Sequence, residues 1–314
     1  MFAFLLRRLA VAVPMLVVVS FCVFSLIVLV PGDPAVSLAG ENPDPEQIQA
    51  VRERLGLDDP FLVQFWNWFT GVRQGDLGES LFSSQSVAGA VLARLPTTLS
   101  LAGLSLAVAL LLGVSVGVLA AMRPGTWVDR LATFGASLGI AVPYFWVAML
   151  LVLLLAINVS IFPAVGYIPL SENPWQWFLH LVLPASALGL APAAVIARQT
   201  RAAMTGVLGE DYVRTGVAKG LPPSRVVGKH ALKNAAVPVV TAFGLEASRL
   251  IGGTVVIEQL FALPGLGNLA YSSVFARDVP MVQGVLLTVA ALVLLINLLI
   301  DLSYGYFNPR IRQS

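Results

Sequence analysis

Long apolar runs alternate with shorter polar stretches along most of the chain. Roughly 20 apolar residues at ~1.5 Å rise each are enough to cross a bilayer, and six runs fit that requirement. They cover residues 9–30, 99–122, 131–157, 178–197, 237–261 and 282–304. The pattern predicts an all-α polytopic membrane protein with six transmembrane helices. Composition agrees, because 57% of the residues are hydrophobic and only 11% are charged.

Proline and glycine modify several of these runs. Pro143 is expected to kink the third run. Pro184 and Pro192 are expected to make the helix of the fourth run less rigid, so that this helix is a candidate for movement during function. Membrane helices also tolerate prolines for packing alone. Gly103, Gly113 and Gly117 in the second run are predicted to allow close contact between helices.

The polar stretch between the first two runs is a predicted outer subdomain. Between residues 31 and 96 it holds nine acidic and four basic residues, and an acidic loop fits the outer side of the membrane. The chain therefore divides into three parts. These are an N-terminal tail and first helix at 1–30, an extracytoplasmic subdomain at 31–97, and a five-helix core at 98–314 that includes a coupling segment at 198–235.

Short helices are predicted inside the outer subdomain. Asp44 fits an N-cap with Gln47 at the third helical position, and Gly56 ends that helix. An aromatic cluster follows and is typical of an interfacial belt, with the lining of a substrate entrance as the alternative. Its members are Phe61, Phe65, Trp66, Trp68 and Phe69.

A strongly basic segment separates the fourth and fifth runs. From 198 to 233 it holds seven basic and two acidic residues. Helix formers from Asp211 to Lys219, then Gly220 and a Pro-Pro pair, predict two helices around a turn. A compact protruding knob fits this order better than a loop that only sets topology. With this segment inside the cell, six spans place both termini in the cytoplasm.

Ionisable and amide side chains inside the apolar runs are candidates for a translocation path, because such groups normally face protein or water. Glu246 and Arg249 are three residues apart and can pair on one helix face. The other candidates are Glu258, Asn158 and Asn297. The alternative is that these groups only fix the packing between helices.

Sequence features that would make the chain an enzyme are missing. Gly228-Lys229 is followed by His230 and lacks the glycine five positions earlier that a phosphate loop needs. No spacing fits a Ser-His-Asp triad or a dinucleotide fold. Cys22 is the single cysteine and His180 and His230 are the two histidines, so no metal site is predicted. The expectation is a transport subunit without a cofactor of its own and without a nucleic-acid partner.

The basic segment also carries a family resemblance. Asp211-Tyr212-Val213-Arg214-Thr215 precedes Ala218-Lys219-Gly220-Leu221, and residues 230–235 read His-Ala-Leu-Lys-Asn-Ala. These residues resemble the cytoplasmic signature loop of dipeptide and oligopeptide ABC importer permeases. Further stretches resemble the first of the two permeases in such systems, so the resemblance covers nearly the whole chain. They lie at residues 29–34, 75–80, 94–99, 258–267, 277–284 and 301–312.

This resemblance implies a type I ABC importer permease fold in a bacterial inner membrane, with a coupling helix between the fourth and fifth spans. It also implies a second homologous permease, two cytoplasmic ABC ATPase subunits that bind ATP and Mg²⁺, and an extracytoplasmic peptide-binding protein. The residues it implies for coupling to the ATPase are Asp211, Tyr212, Arg214, Thr215, Ala218, Lys219, Gly220, Leu221 and Arg225.

Other functions stay open at this point. A nickel importer would share the same permease architecture. A secondary transporter or channel that works alone belongs to a different class. Two features argue against it: the compact knob, which suits docking to another protein, and the lack of visible inverted repeats in the sequence. A membrane-embedded enzyme lacks a candidate nucleophile or metal set.

Overall fold

The structure is built of helices. A computed structural model describes residues 2–29, 35–36, 44–83 and 85–307, and this part contains no β-strand, only one isolated bridge. The predicted all-helical class is confirmed. The helices are α1 Phe2–Leu29, α2 Pro45–Leu55, α3 Phe61–Arg73, α4 Val87–Met122, α5 Trp127–Ala141, α6 Tyr144–Leu151, α7 Pro174–Leu208, α8 Asp211–Ala218, α9 Leu232–Leu260, α10 Leu266–Ala276 and α11 Val279–Phe307.

Two π-helical segments and a single helical turn complete the described elements. Val152–Asn158 continues α6, while the turn Pro223–Arg225 and the segment Val226–Ala231 lead directly into α9. The motif residues 30–34 and 308–312 lie outside the described residues.

Helices α4 and α7 pack at backbone distance and run parallel. A Cβ on Gly189 would lie 2.6 Å from the carbonyl oxygen of Ser105, and one on Gly117 would lie 2.6 Å from that of Ala197. The residue numbers rise together on the two helices, so their directions agree. The same closeness occurs at Gly113, so the predicted contact is present at Gly113 and Gly117. The prediction is wrong for Gly103, where an added Cβ would have no atom within 4 Å because this residue faces away from the neighbouring helices.

The chain returns between these parallel helices through α5, α6 and the first π-helical segment. Asp129 at the start of α5 pairs with Arg201 near the end of α7, so the return pass is antiparallel to α7. The kink expected at Pro143 is a full break, because the two halves of this pass meet at 102°. Proline holds Val142 extended, with ψ 128°, and the helix stops and restarts there.

The fifth pass, α9, runs antiparallel to α7. Ala235 near its start shares a buried cluster with Met204 near the end of α7. A Cβ on Gly253, further along α9, would lie 3.3 Å from Leu188, which comes earlier on α7. The carboxyl end of α9 therefore lies at the end of the bundle where α7 begins.

The last and first helices close the bundle. Ser248 on α9 donates a hydrogen bond to Asn297 on α11 at 2.8 Å. Arg8 on α1 pairs with Asp301 on α11 at 3.1 Å. At the other end of these helices, Gln283 donates to the carbonyl of Phe24 at 3.3 Å. Helix α11 is thus antiparallel to α1.

These directions give six passes along the bundle within the described residues, and both described chain ends lie at the end that carries α8. Four helices are long and apolar enough to cross a membrane, and the bent pair Trp127–Ala141 and Tyr144–Asn158 makes a fifth if it counts as one span. Helix α1 contributes a shorter apolar stretch, Ala10–Leu26. The count of six membrane spans stays a prediction.

Several helices extend beyond the predicted runs. Helix α4 begins at Val87 after the N-cap Ser86, and so passes without interruption through the expected boundary between residues 97 and 98. Helix α7 continues to Leu208, and the first residues of the basic segment therefore belong to a long helix rather than to the knob. The turn expected to start at residues 263–267 leads into a further helix, α10.

The segment that holds α2 and α3, predicted as the outer subdomain, packs on α1 through aromatic rings. The predicted start of α2 is present, because the Asp44 N–H donates to Gln47 at 3.4 Å. Gly56 ends α2 with φ +63°, as predicted. Helix α3 then places Phe65 5.2 Å from the ring centre of Phe21 on α1, edge to face. Trp66 remains exposed beside this cluster.

Candidate functional site

The turn after α8 has the conformation that the sequence predicts. Gly220 has φ +75°, a region that glycine occupies without the steric cost of a side chain. Its N–H donates to the Val217 carbonyl at 2.9 Å, and the Leu221 N–H donates to the Gly216 carbonyl at 3.2 Å. These two bonds satisfy carbonyls at the helix end and fix the angle at which the chain leaves α8.

A narrow contact strip holds α8 against the bundle. Val213 is buried and Gly216 is half-buried, whereas the rest of the helix is exposed. The Tyr212 hydroxyl accepts a hydrogen bond from the Asn234 side chain at 2.8 Å, which ties α8 to the first turn of α9. The knob is therefore attached to α9 through specific contacts and presents most of its surface outward.

Eight of the nine candidate coupling residues are exposed, and Leu221 is half-buried. The outward surface mixes charge with apolar area, since the Val217 side chain is 60% exposed and Tyr212 44%. Arg214 and Asp211 stand 3.6 Å apart with both side chains largely in solvent, so their pairing contributes little stability. A short helix with exposed apolar and basic side chains at a bundle end is a surface suited to binding another protein.

A second exposed surface runs along α9. Its residues recur at intervals of four, three and four, which is one face of a helix. They are Leu245, Arg249, Gly252 and Val256. The Arg249 side chain is 74% exposed and its guanidinium lies 3.1 Å from the Glu246 carboxylate, which is itself buried. A guanidinium in the middle of a membrane helix faces water or protein rather than lipid.

The remaining path candidates take different positions. Asn297 accepts the hydrogen bond from Ser248 and so links α11 to α9. Asn158 is exposed at the end of the first π-helical segment. Glu258 is fully buried near the end of α9, away from the exposed stripe.

Glu258 is the centre of a buried polar network. One carboxylate oxygen accepts from the Thr98 hydroxyl on α4 at 2.7 Å, and the other accepts from the Asn268 N–H on α10 at 2.9 Å. The Thr98 hydroxyl oxygen also accepts from the Leu266 N–H at 2.8 Å. A Cβ on Gly265 would overlap the Glu258 carboxylate. The network therefore joins α4, α9 and α10 and requires glycine beside the carboxylate.

A second polar contact brings together two of the stretches singled out in the sequence. The Ser80 hydroxyl donates to Asp278 at 2.5 Å, and the Leu81 N–H donates to the same carboxylate at 3.2 Å. These residues are about two hundred positions apart in the chain. Residues 80 and 81 are thereby fixed to the start of α11.

Thr98 and Asp278 belong to the family-like stretches 94–99 and 277–284, but no role was predicted for either side chain. The pair formed by Asp129 and Arg201 was not predicted. The Arg201 guanidinium donates two hydrogen bonds to the buried Asp129 carboxylate, one of them at 2.9 Å. A lone threonine or aspartate beside an apolar run gives no signal of a partner that lies 72 or more residues away in the chain. Only the parallel and antiparallel order of the helices brings these groups together.

Long apolar helices, polar groups buried between them and an exposed knob at one end of the described bundle define an integral membrane protein. The chain belongs to the family of binding-protein-dependent transport system inner membrane components, whose model matches residues 113–313. The model of the N-terminal part of these membrane components matches residues 1–102. The chain is therefore a multi-pass inner membrane protein of a transport system that works with a substrate-binding protein and an ATPase.

Relatives and solved structures agree with this family. The chain is 43% identical to a Brucella abortus protein named as a peptide transport system permease, over all of both chains. It is 41% identical to the glutathione transport system permease protein of Escherichia coli, again over all of both chains. A chain of the inward-facing MetNI methionine ABC transporter matches with TM-score 0.56 and 21% identity, covering 69% of this chain and 96% of that one. The predicted ABC importer permease fold is confirmed.

Proposed function

We propose that this chain is the permease subunit of an ATP-driven importer of dipeptides and oligopeptides. The observation that carries the proposal is α8, a short exposed helix closed by the left-handed Gly220 and attached to the start of α9. Its relatives are named for peptide and glutathione transport, and glutathione is itself a short peptide. The same names give no support to nickel as cargo.

The α8 surface is the site for the ATPase. One knob on this chain and one on a second, homologous permease would engage two ATPase subunits, which bind ATP and Mg²⁺. Closure of the ATPase pair then pushes on α8, and the contact between Tyr212 and Asn234 passes this movement to α9. The membrane helices change between inward-facing and outward-facing arrangements as a result.

The exposed stripe of α9 is the part of the path that this chain supplies. The second permease would face the stripe and enclose a water-filled channel, in which Arg249 provides a positive charge and Glu246 holds it in place. A peptide carries a terminal carboxylate, which a guanidinium binds well. Asn297 and Asn158 are further candidates, whereas Glu258 supports the surrounding helices.

The orientation follows from the distribution of basic residues. Arg8, Arg123, Arg130 and the basic residues of segment 198–235 all lie at the α8 end of the bundle, and cytoplasmic loops carry such an excess of positive charge. Both termini are then cytoplasmic. The outer subdomain with α2, α3 and its exposed Trp66 faces the extracytoplasmic binding protein.

Uptake of a labelled dipeptide into proteoliposomes tests this function. The vesicles contain the chain with its co-purifying partners, with or without ATP and binding protein. Uptake that requires both supports the proposal. Uptake of nickel without uptake of peptide assigns the protein to metal import, and ATP-independent transport by the chain alone overturns the role of α8.

A further inference from the structure

An apolar groove of about 510 Å³ lies between α4, α5 and α7. All of its lining residues are apolar or glycine, among them Leu112, Val116, Leu131, Gly135 and Leu190. Several of these side chains are well exposed, with Leu131 at 60% and Leu112 at 46%. The groove is thus open on the surface of helices that cross the membrane.

The groove has the length of one leaflet of a bilayer. Along α5 it extends from Trp127 to Gly139, which at ~1.5 Å per residue is roughly 18 Å. Half of the hydrocarbon core is about 15 Å. Trp127 is 73% exposed at the α8 end of the groove, where an indole ring fits the boundary between headgroups and acyl chains.

The α8 end of the groove is positively charged. There it adjoins a smaller cavity that shares Ala197 and is lined by Arg198 and Arg201. Arg201 follows Ala197 by one helical turn. Arg123 comes directly after the last residue of α4, four positions beyond the lining residue Leu119. The described residues around this end of the groove include four arginines and one acidic residue, the buried Asp129. The arginines are Arg123, Arg130, Arg198 and Arg201.

Most of the positive charge of these arginines is free to bind an anionic group. Asp129 is paired with Arg201, whose side chain is still 38% exposed. Arg123, Arg130 and Arg198 are exposed, and within the described part of the chain they form no ion pair. The result is an apolar slot that ends in an excess of guanidinium groups.

We propose that this groove binds an anionic phospholipid, with one acyl chain between α4, α5 and α7 and the phosphate at Arg198 and Arg201. Guanidinium groups bind phosphate oxygens through paired hydrogen bonds, and basic pockets between membrane helices suit anionic headgroups. The net positive charge favours phosphatidylglycerol or cardiolipin over a zwitterionic lipid. The lipid site does not depend on which substrate the protein transports.

Two variants test the two halves of the site. Gly135→Leu fills the slot, and because a Cβ at Gly135 has no atom within 4 Å, the new side chain displaces lipid rather than protein. Gly103→Leu is its control, since Gly103 is also exposed on a membrane helix with open space around it but lies outside the groove. Arg198→Gln removes headgroup charge, and Arg73→Gln, at the exposed end of α3, is the control for charge.

The measurement is retention of phosphatidylglycerol and phosphatidylcholine by the full chain with its co-purifying partners, read by native mass spectrometry. We expect Arg198→Gln to lower the preference for phosphatidylglycerol about fivefold, and Gly135→Leu to reduce retention of both lipids. The two controls should match the wild type.

Three results would overturn the proposal. In the first, all four variants retain lipid as the wild type does. In the second, millimolar inorganic phosphate displaces the bound species, which would make this a site for soluble anions. In the third, Gly135→Leu releases the second permease while lipid retention is unchanged, which would make the groove a protein interface.

Discussion

Replacing Thr98 by valine tests whether the Glu258 network holds together the helix ends that lie opposite α8. The change keeps the shape of the side chain but removes the hydroxyl that donates to Glu258 at 2.7 Å and accepts from Leu266 at 2.8 Å. Two buried groups lose their partner: a carboxylate oxygen and a backbone N–H. Both lie in protein interior, because Glu258 and Leu266 are fully buried.

The magnitude follows from these two losses. Each buried polar group without a partner costs about 1–3 kcal/mol in soluble proteins, whereas hydrogen bonds between membrane helices average only about 0.6 kcal/mol and reach about 1.7 kcal/mol. The carboxylate keeps its bond from Asn268, so the loss is partial. Two losses of about 0.6–1.7 kcal/mol each total about 1–3 kcal/mol, and we therefore expect Thr98→Val to lower the free energy of unfolding by about 2 kcal/mol.

The neighbouring Thr97 provides a matched control. It is as buried as Thr98, at 2% exposure, but its hydroxyl forms no side-chain hydrogen bond among the described residues. Thr97→Val should cost less than about 1 kcal/mol, because it removes a hydroxyl without stranding two partners. Thr98→Ser keeps the hydroxyl and should recover most of the stability.

The assay is unfolding in mixed micelles with increasing sodium dodecyl sulfate, followed by intrinsic tryptophan fluorescence. The order of stability should be wild type, then Thr97→Val and Thr98→Ser close together, then Thr98→Val well below. Equal midpoints for Thr97→Val and Thr98→Val would refute the network as a source of stability. A loss in Thr98→Ser as large as that in Thr98→Val would assign the effect to packing instead.

Two further predictions concern transport. Gly220→Leu should uncouple ATP hydrolysis from peptide uptake while assembly survives. Gly125→Leu is the control, because Gly125 also has open space around its Cβ position and its φ of +74° is close to the +75° of Gly220. The two variants carry equal backbone strain, but Gly125→Leu should leave coupling intact. Uncoupling by both variants would point to strain alone. Glu246→Ala leaves Arg249 without its partner and should lower uptake with an unchanged amount of assembled complex; loss of uptake and assembly in equal proportion, measured on purified membranes, would indicate packing instead.

The sequence predicts most of the features that depend on residues close together in the chain, such as helices and the turns that end them. Apolar runs locate the long helices, and Gly220 and Gly56 both take the left-handed conformation expected of glycine at a helix end. The extent of α4 is less predictable, because Pro96 lies near the expected start of the run yet is accommodated inside the helix. Helix α10 is short and contains two serines, so it has neither the length nor the composition of a membrane run.

The polar contacts depend on tertiary structure and are not predictable from one sequence. Glu258 stands out as an acidic residue at the end of an apolar run, but its partner Thr98 lies 160 residues earlier. The path candidates Glu246 and Arg249 are adjacent on one helix and do pair, as the spacing predicts. Which of the two faces outward is decided by the packing of α9 against its neighbours.

Because α9 is one continuous helix, a small tilt at the end next to the knob produces a larger displacement at its other end. Its 29 residues span about 43 Å, with the Asn234 contact to the knob near one end and Glu258 near the other. A tilt of about 5° would move the far end by roughly 4 Å over that length, which is more than the length of the bond between Glu258 and Thr98. The polar network at the end of α9 opposite the knob must then either move with α9 or open, and spin labels placed at the two ends of the helix would distinguish these two responses.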